Sequence, residues 1–500
     1  MPRYLSAVKS YLSALPQYVV PTVVSLVTFG LIARVLTANE LGVYGLIVSA
    51  TYLIGLTSNF GIKKAVIVRI SKGENIGVFW GGMIYSTLIS ILFALLTITL
   101  LKFFKIFESV NLPEITYHLY FILLLIFSYR NYFTAGLESL KKFHIISLYT
   151  SIGFIVYRIL MLTLVVYGYS VYGVIIAWII GESISVIPLI NATLNFFKGF
   201  NPILRGKEIF DILKEAPSIY FSDLTLVLID YGDRILTGIF GLYFLANFYI
   251  ASTGAQSLSS LAQALYSGLL PHIAEEYGVG GRKSLQEYLE QLSKFFFLFL
   301  SPMYLVSAVL AYPLMFIFVG PSYNVAVSLF QIIVLGLWLT SITPLITTSL
   351  IATGKSKEAM ISQLVGLGVD IAILLGLYTY IGFLSAGFGK AFLYIASLAI
   401  GIYFLKRKIG VAPYHLNDIL KILLANILLG VSTWFLWVYT FRISLLPLYI
   451  IFSIVIYLLY LRILKVITKR DIEILEEELP LKGKIKNIII KLVSKVTGVT

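Results

Sequence analysis

The sequence predicts an all-α polytopic membrane protein, and three observations predict it: composition, long apolar stretches and the distribution of basic residues. Hydrophobic residues make up 59% of the 500 residues, charged residues make up 12%, and the mean hydropathy is +0.93. Soluble domains carry about 25% charged residues. Since a bilayer leaves backbone groups without hydrogen-bond partners, apolar stretches of about 20 residues without strand-like alternation predict spanning helices.

The elements begin with residues 1–15, which predict an amphipathic helix. Its apolar side chains share one face: Tyr4, Leu5, Val8, Tyr11, Leu12 and Leu15. No small-residue cleavage site follows this segment, so we expect an interfacial helix that leads into the first span and not a removable signal peptide.

Fourteen apolar stretches follow, and each predicts a transmembrane helix. They begin near Pro16, Leu41, Phe79, Ile115, Phe143, Val171, Pro217, Tyr243, Leu292, Asn324, Glu358, Leu384, Leu416 and Ser444. We expect an N-lobe of six spans over 16–197, a cytoplasmic linker over 198–215, a C-lobe of six spans over 216–405, and two extra spans over 406–464. The tail over 465–500 is amphipathic, which favours a place on the inner leaflet over a solvated tail.

The basic residues predict that both termini are cytoplasmic. With the N-terminus inside, most of the 38 lysine and arginine residues fall in inner segments, including Arg130. Three lie outside: Lys102, Lys105 and Arg442. Because cytoplasmic loops are enriched in basic residues, this bias fits an even number of spans. The basic residues that give the net charge of +14 would then face the anionic lipids of the inner leaflet. We therefore expect anionic membrane lipids as partners, and we do not expect nucleic acid.

Two segments about 200 residues apart have similar sequences. They are Arg34-Val-Leu-Thr-Ala-Asn-Glu-Leu-Gly-Val-Tyr44 and Arg234-Ile-Leu-Thr-Gly-Ile-Phe-Gly-Leu-Tyr243, with one residue of slip. Each joins the first and second spans of a six-span block, on the same side of the membrane. The similarity predicts parallel repeats related by a pseudo-twofold axis along the membrane normal, with a binding site between them. The alternative to a repeat is a chance similarity between two short apolar sequence segments.

The order and spacing of several motifs resemble one membrane protein family over nearly the whole chain. The motifs are Ala33 to Tyr44, Asn59-Phe-Gly-Ile-Lys-Lys-Ala65, Gly232-Asp-Arg234 running to Tyr243 and Pro271, Phe318-Val-Gly-Pro-Ser-Tyr323, and Ala352-Thr-Gly-Lys355. In these the chain resembles the Wzx-type polysaccharide and oligosaccharide flippases of the multidrug/oligosaccharidyl-lipid/polysaccharide (MOP) exporter superfamily. The resemblance implies two six-helix lobes around a central cavity, alternating access and two extra C-terminal helices.

The resemblance also implies a function and partners. The cargo would be a glycan linked to polyprenyl pyrophosphate or dolichyl phosphate, moved from the cytoplasmic to the outer leaflet of the plasma membrane for cell-surface polysaccharide or glycan biosynthesis. Glycan-assembly enzymes would be protein partners. A monovalent cation or proton gradient would be one energy source, since the chain has no Gly-x-x-x-x-Gly-Lys-Ser/Thr phosphate-binding loop.

Ionisable residues inside the predicted spans are the candidate binding residues, because a charge in a bilayer is costly unless it serves a function or a partner. Asp223, Asp230 and Arg234 fall on one line of an ideal helix at 100° per residue. Asp230 and Arg234 either neutralise each other or present Arg234 to a lipid phosphate, which the planar guanidinium can bind with two parallel hydrogen bonds.

Further candidates lie on other spans. Arg34 corresponds to Arg234 in the first repeat, and either faces the substrate or extends to the interface. Arg158, Lys390, Gln256 and Gln263 complete the substrate-binding candidates. Gln256 and Gln263 belong to a stripe of Ser and Gln that either binds sugar or packs helices. The candidates for coupling a cation or a proton are Asp230, Glu182 and Asp370.

Enzyme functions are disfavoured by the absence of catalytic groups. The chain has no cysteine, and its four histidines are scattered, so we expect neither a metal site nor a cofactor. The outer loops are short and carry no paired carboxylates, which argues against a membrane glycosyltransferase or polymerase of the same pathway. A multidrug or cation antiporter of the same superfamily is the other alternative, and the arginines among the candidates favour an anionic cargo over it.

Overall fold

The computed structural model describes residues 21–71, 77–198, 207–266 and 269–468. Within these ranges the chain is helical and contains no β-strand. The predicted N-terminal helix over 1–15 and nearly all of the tail over 465–500 lie outside the described residues, so both stay predictions.

Eighteen helices, α1–α18, make up most of the described chain. In order they are Pro21–Val35, Ala38–Thr57, Ile62–Ser71, Gly77–Phe103, Ile115–Ser139, Phe143–Leu164, Ser170–Phe197, Lys207–Val227, Asp233–Thr237, Leu242–Tyr266, Leu269–Val309, Ala311–Val319, Asn324–Leu339, Thr343–Ala352, Ser356–Ile381, Leu384–Phe404, Leu416–Thr440 and Leu446–Ile463. Short π-helices at Val165–Tyr169, Leu228–Gly232 and Leu405–Ile409 extend or join them.

Eight helical segments among the described residues are long and apolar enough to cross a membrane. The pair α13 and α14, bent by 48°, makes a ninth if it forms one broken span. One of the eight, Phe143–Phe197, is 55 residues long and contains both α6 and α7. A straight helix of that length would extend roughly 80 Å, more than twice the hydrocarbon core, and the chain breaks at Gly168 with φ of 87°. The chain is thus a multi-pass membrane protein, and the count of fourteen spans stays a prediction.

The chain divides into two compact units. The first unit is Thr28–Tyr249, and the second is Ile250–Thr500 together with Met1–Val27. The first unit therefore contains α8, α9 and the start of α10 in addition to the end of the first predicted span and the next five. The expected division into lobes over 16–197 and 216–405 stays a prediction.

Aromatic side chains fill the core of the first unit. Phe79 on α4 packs against Tyr132 and Phe133 of α5 and Phe197 of α7, with ring centroids 4.9 to 6.1 Å apart. Glycines let the helices approach closely, since an ideal Cβ on Gly136 would lie 2.6 Å from Phe197. This packing holds α4, α5 and α7 together as a frame for the charged residues described below.

In the second unit, α15 packs along α16, and α11 packs on α17 and α18. Gly366 of α15 allows the first approach, because an ideal Cβ there would lie 2.1 Å from the Ser397 hydroxyl. Asn426 donates a 2.9 Å hydrogen bond to Ser301, and Thr433 lies 3.0 Å from the hydroxyl of Ser453. Helices α17 and α18 coincide with the two extra spans expected over 406–464.

Candidate functional site

The two similar segments of the predicted repeat contact each other inside the first unit. Gly42, near the start of α2, lies against the backbone of Leu242 at the start of α10, where an ideal Cβ would be 2.2 Å from the Leu242 carbonyl oxygen. Beneath this contact, Phe29, Tyr44 and Tyr249 form three mutual ring contacts of 5.4 to 6.0 Å. Backbone packing backed with aromatic rings thus holds α2 against α10, and we call this contact the closed end of the unit.

A capping box orders the same end. Thr37 caps α2, and its backbone N–H and hydroxyl donate to the carboxylate of Glu40 at 2.8 and 2.7 Å. Ser170, at the start of α7, donates a further hydrogen bond to Glu40. Since these bonds satisfy donors that a helix start leaves without partners, they fix α2 beside α7 where Gly42 meets Leu242.

Arg234 lies directly below the closed end. Its side chain is 4% exposed, and the guanidinium carbon sits 5.3 Å from the ring centre of Tyr231 and 5.1 Å from that of Tyr249. Asp233, which the sequence analysis did not select, is 2% exposed and accepts a 2.8 Å hydrogen bond from the backbone N–H of Arg234. The aromatic faces favour a buried cation there.

The expected stripe of Asp223, Asp230 and Arg234 requires an uninterrupted α-helix, and the structure differs. A π-helix at Leu228–Gly232 separates α8 from α9 and changes the angular step per residue. Asp230 is exposed whereas Arg234 is buried, so these two side chains meet different environments. Asp223 lies on α8, and its side chain is outside the described residues.

A second arginine occupies a similar aromatic environment. The guanidinium carbon of Arg158, on α6, lies 5.0 Å from the ring centre of Phe154 and 5.2 Å from that of Tyr157. One of its Nη atoms donates a 3.3 Å hydrogen bond to Thr28. Thr28 precedes Phe29, whose ring lies 5.4 Å from that of Tyr249, so both arginines lie beside the cluster of Phe29, Tyr44 and Tyr249. Arg34 is exposed near the end of α1, and its expected position opposite Arg234 stays a prediction.

Tyr52 of α2 joins this arginine cluster to a second charged group. Its ring stacks on Tyr231 at 5.1 Å with an interplanar angle of 8°. It also contacts Phe127 at 5.5 Å and Trp178 at 6.1 Å. The aromatic rings therefore run continuously from Arg234 to α5 and α7.

The second charged group is an ion pair that the sequence analysis missed. Arg130, which we expected in an inner segment, lies within α5 and places its Nε 2.8 Å from a carboxylate oxygen of Glu182 on α7. The other oxygen of Glu182 accepts a 3.0 Å hydrogen bond from the indole N–H of Trp178. The expected place of Arg130 at the inner side stays a prediction. Sequence alone does not show that a carboxylate 52 positions later lies against it.

The remaining candidates lie in the second unit. Asp370 on α15 and Lys390 on α16 are both buried, and an ideal Cβ on Gly389 would lie 2.4 Å from a carboxylate oxygen of Asp370. On α10, Gln256 is half-buried and Gln263 is exposed. In the second unit, the buried carboxylate of Asp370 thus lies against Gly389, the neighbour of the buried Lys390.

Comparison with known proteins identifies the family. A family described as "Polysaccharide biosynthesis protein" matches residues 31–328, more than half of the chain. The chain belongs to the polysaccharide biosynthesis protein family. Comparison with curated protein sequences finds no significant match.

Solved structures confirm the fold expected for this polysaccharide biosynthesis protein. The structure titled "Lipid II flippase MurJ, inward closed conformation" matches with a TM-score of 0.73 at 16% identity, covering 91% of this chain and 98% of that chain. A structure titled as an inward-facing multidrug resistance MATE family transporter of the MOP superfamily matches with a TM-score of 0.60 at 15% identity, covering 81% of this chain and 98% of that chain. The all-α MOP-type fold is therefore correct as predicted.

Among the described residues of this polysaccharide biosynthesis protein, no three His, Asp or Glu side chains lie close enough together to bind a metal ion. The acidic groups instead meet arginines, aromatic rings and hydroxyls. Sequence reasoning missed two features, the Arg130–Glu182 pair and the Tyr52 contacts. Neither carries a local signal, because each joins residues from different helices.

Proposed function

We propose that this protein is a flippase that moves a lipid-linked oligosaccharide, carried on a polyprenyl or dolichyl phosphate or pyrophosphate, from the cytoplasmic to the outer leaflet of the plasma membrane. The observation that carries the proposal is that Arg158 and Arg234 both lie beside the aromatic cluster of Phe29, Tyr44 and Tyr249 inside the first unit. The family and the MOP-type fold support it.

The chemistry of the two arginines favours a phosphate ligand. A guanidinium that lies over an aromatic ring contacts the ring with its face, so its N–H groups are at the edge, in the plane that suits two parallel hydrogen bonds to phosphate oxygens. A pyrophosphate has oxygens for more than one such fork. Because a charge in a membrane interior is costly, two arginines held at one place favour an anionic substrate.

The matching MATE transporter supports one other candidate, a multidrug or cation antiporter. A cationic substrate would favour acidic residues that dominate its binding site, whereas the cluster in the first unit is built around arginines. An enzyme of the same pathway is less well supported, since Glu40 caps a helix and Glu182 and Asp233 accept hydrogen bonds from an indole and a backbone N–H group. We infer that transport is by alternating access, driven by an ion gradient, the membrane potential or the cargo gradient.

The test is flipping in proteoliposomes. A fluorescent lipid-linked oligosaccharide is scored for exposure to a membrane-impermeant reagent, with wild type beside Arg34→Ala, Arg234→Ala and the control Arg442→Ala, whose exposed side chain lies on the loop before α18. We expect transport by wild type and by Arg442→Ala, and loss of transport in Arg234→Ala at unchanged folding and insertion. Wild type that leaves several lipid-linked glycans in place, yet expels a cationic dye under a sodium or proton gradient, would establish the antiporter instead.

A further inference from the structure

The Arg130–Glu182 pair joins the interiors of two long helices of the first unit, α5 and α7. Arg130 is the sixteenth residue of α5, about 22 Å along the helix from Ile115. Glu182 is near the middle of the 28-residue α7. A pair in the interior of such helices is tolerated because its charges cancel, and it either braces two helices or serves a ligand.

Glu182 is held rigidly by two different groups. Its Oε1 accepts the hydrogen bond from the Trp178 indole, and its Oε2 lies against Nε of Arg130. Trp178 is itself fixed by stacking on Tyr157, with centroids 5.4 Å apart and an interplanar angle of 22°. Glu182 is therefore held by a hydrogen bond at one oxygen and by the charge of Arg130 at the other, which gives it a defined position from which to orient Arg130.

Arg130 uses only part of its guanidinium for these contacts. The ring of Phe127 lies 4.6 Å from the guanidinium carbon, and Nε alone faces Glu182. Among the described residues neither Nη atom has a hydrogen-bond or ion-pair partner, and the side chain is 21% exposed. A guanidinium carries five N–H donors, and the end-on pair of Nη N–H groups points away from Nε, which is the atom that faces the carboxylate.

This geometry differs from that of an ion pair that only braces helices. In the same unit Lys63 of α3 directs its ammonium group at Glu138 of α5 with a 2.9 Å hydrogen bond, and the two side chains are 23% and 26% exposed. An arginine that served only the same purpose would gain most by meeting the carboxylate with two parallel N–H groups. Arg130 instead approaches Glu182 with its Nε atom. The two Nη atoms at the end of the side chain are therefore left to bind a second oxyanion.

We propose that Arg130, positioned by Glu182 and Phe127, binds an oxyanion of the transported glycolipid, either a phosphate oxygen of the lipid carrier or a carboxylate on its sugars. The inference rests on the flippase function proposed above. Glu182 is the positioning residue, and Tyr52 links this site to the ring beneath Arg234. The substrate would then contact cations at two places along the first unit.

The test uses the full chain in nanodiscs and proteoliposomes with two fluorescent probes. Both are short-chain polyprenyl pyrophosphates; one carries a neutral trisaccharide, and the other ends in a hexuronic acid. The test variants are Arg130→Lys, which keeps the ion pair but loses the fork, and the double variant Arg130→Gln with Glu182→Gln, which leaves no buried charge uncompensated. The matched control is Lys63→Gln with Glu138→Gln.

We expect Arg130→Lys and the double variant to keep the thermal stability of the ligand-free protein while the Kd of a probe rises about 10- to 100-fold, the range for a lost charged hydrogen bond. If the Arg130 variants bind only the uronic acid probe more weakly, the oxyanion is the carboxylate of the sugar. If they bind both probes more weakly, it is a phosphate oxygen of the lipid carrier. The control binds and flips as wild type does.

Two results would overturn the inference. If both Arg130 variants bind and flip both probes as wild type does, Arg130 only braces the helices, and the flippase function stands. If wild type itself binds and moves neither probe, the flippase function fails and the inference fails with it.

Discussion

The contact between Gly42 and Leu242 should control whether the closed end of the first unit can open. An ideal Cβ on Gly42 would lie 2.2 Å from the Leu242 carbonyl oxygen and 2.8 Å from its carbonyl carbon. These are backbone atoms, so no rotamer change can relieve the overlap. Real Cβ atoms almost never come within 3.0 Å of a neighbour, so Gly42→Ala requires α2 and α10 to separate by at least 0.8 Å at this point.

The cost of that separation sets the size of the effect. Overpacking a close contact costs about 1–3 kcal/mol. If the closed end is in equilibrium with an open one that lacks the contact, the same energy shifts the equilibrium toward the open form by about 5- to 150-fold. Gly238→Ala is a matched control, because its nearest neighbours would be side-chain atoms of Leu245 and Leu46 at 3.5 and 3.8 Å, which is ordinary contact.

The absence of cysteine from the sequence makes the opening measurable. Ala246, one turn after Leu242 on α10, is 0% exposed, so a single cysteine there reacts with a water-soluble maleimide only when the end opens. We expect the labelling rate in nanodiscs to rise in Gly42→Ala and to stay at the wild-type rate in Gly238→Ala. Equal labelling and equal thermal stability in Gly42→Ala and wild type would refute the reasoning.

Two further predictions concern sites outside this contact. Gly389→Ala should lower the thermal stability by about 1–3 kcal/mol because the added methyl would lie 2.4 Å from the Asp370 carboxylate, whereas Gly376→Ala, with nothing within 4 Å, should not. Outside the spans, a 2.6 Å hydrogen bond from the Tyr117 hydroxyl lowers the pKa of Glu108 below its usual 4.5. That contact is present above pH 4.5 and is lost as the pH falls through the lowered pKa, so the melting temperatures of wild type and Glu108→Gln should converge on acidification.

Hydropathy predicted many of the helices, and several predicted starts are the first residues of helices in the structure. Ile115, Phe143 and Leu416 are examples. Each follows a polar or turn-forming segment, so the change in composition marks the boundary. The break at Gly281 was not predicted, and α11 begins at Leu269 instead of near Leu292, since the polar residues between them form a helix that hydropathy assigns to a loop.

The candidate site was predictable only as a set of charges. Burial cost alone selected Arg158, Arg234 and Glu182, but not their neighbours. The π-helix before Arg234 changes the register that sequence spacing assumes, and Arg130 received its role from Glu182 on another helix. Such pairings depend on how helices pack, which a one-dimensional pattern does not contain.

Helix α2 connects the closed end to the charged cluster, and this connection has a consequence for transport. Gly42 and Tyr52 lie about 15 Å apart on the same helix, so a tilt that separates Gly42 from Leu242 also moves Tyr52 against Tyr231 and Phe127. Linkage requires that the coupling act in both directions. If Gly42→Ala raises the affinity for a ligand of the arginines on either side of Tyr52, that ligand must speed the labelling of a cysteine at Ala246; if Gly42→Ala lowers the affinity, the ligand must slow it. A ligand whose affinity changes in Gly42→Ala but which leaves the labelling rate unchanged would show that α2 does not join the two.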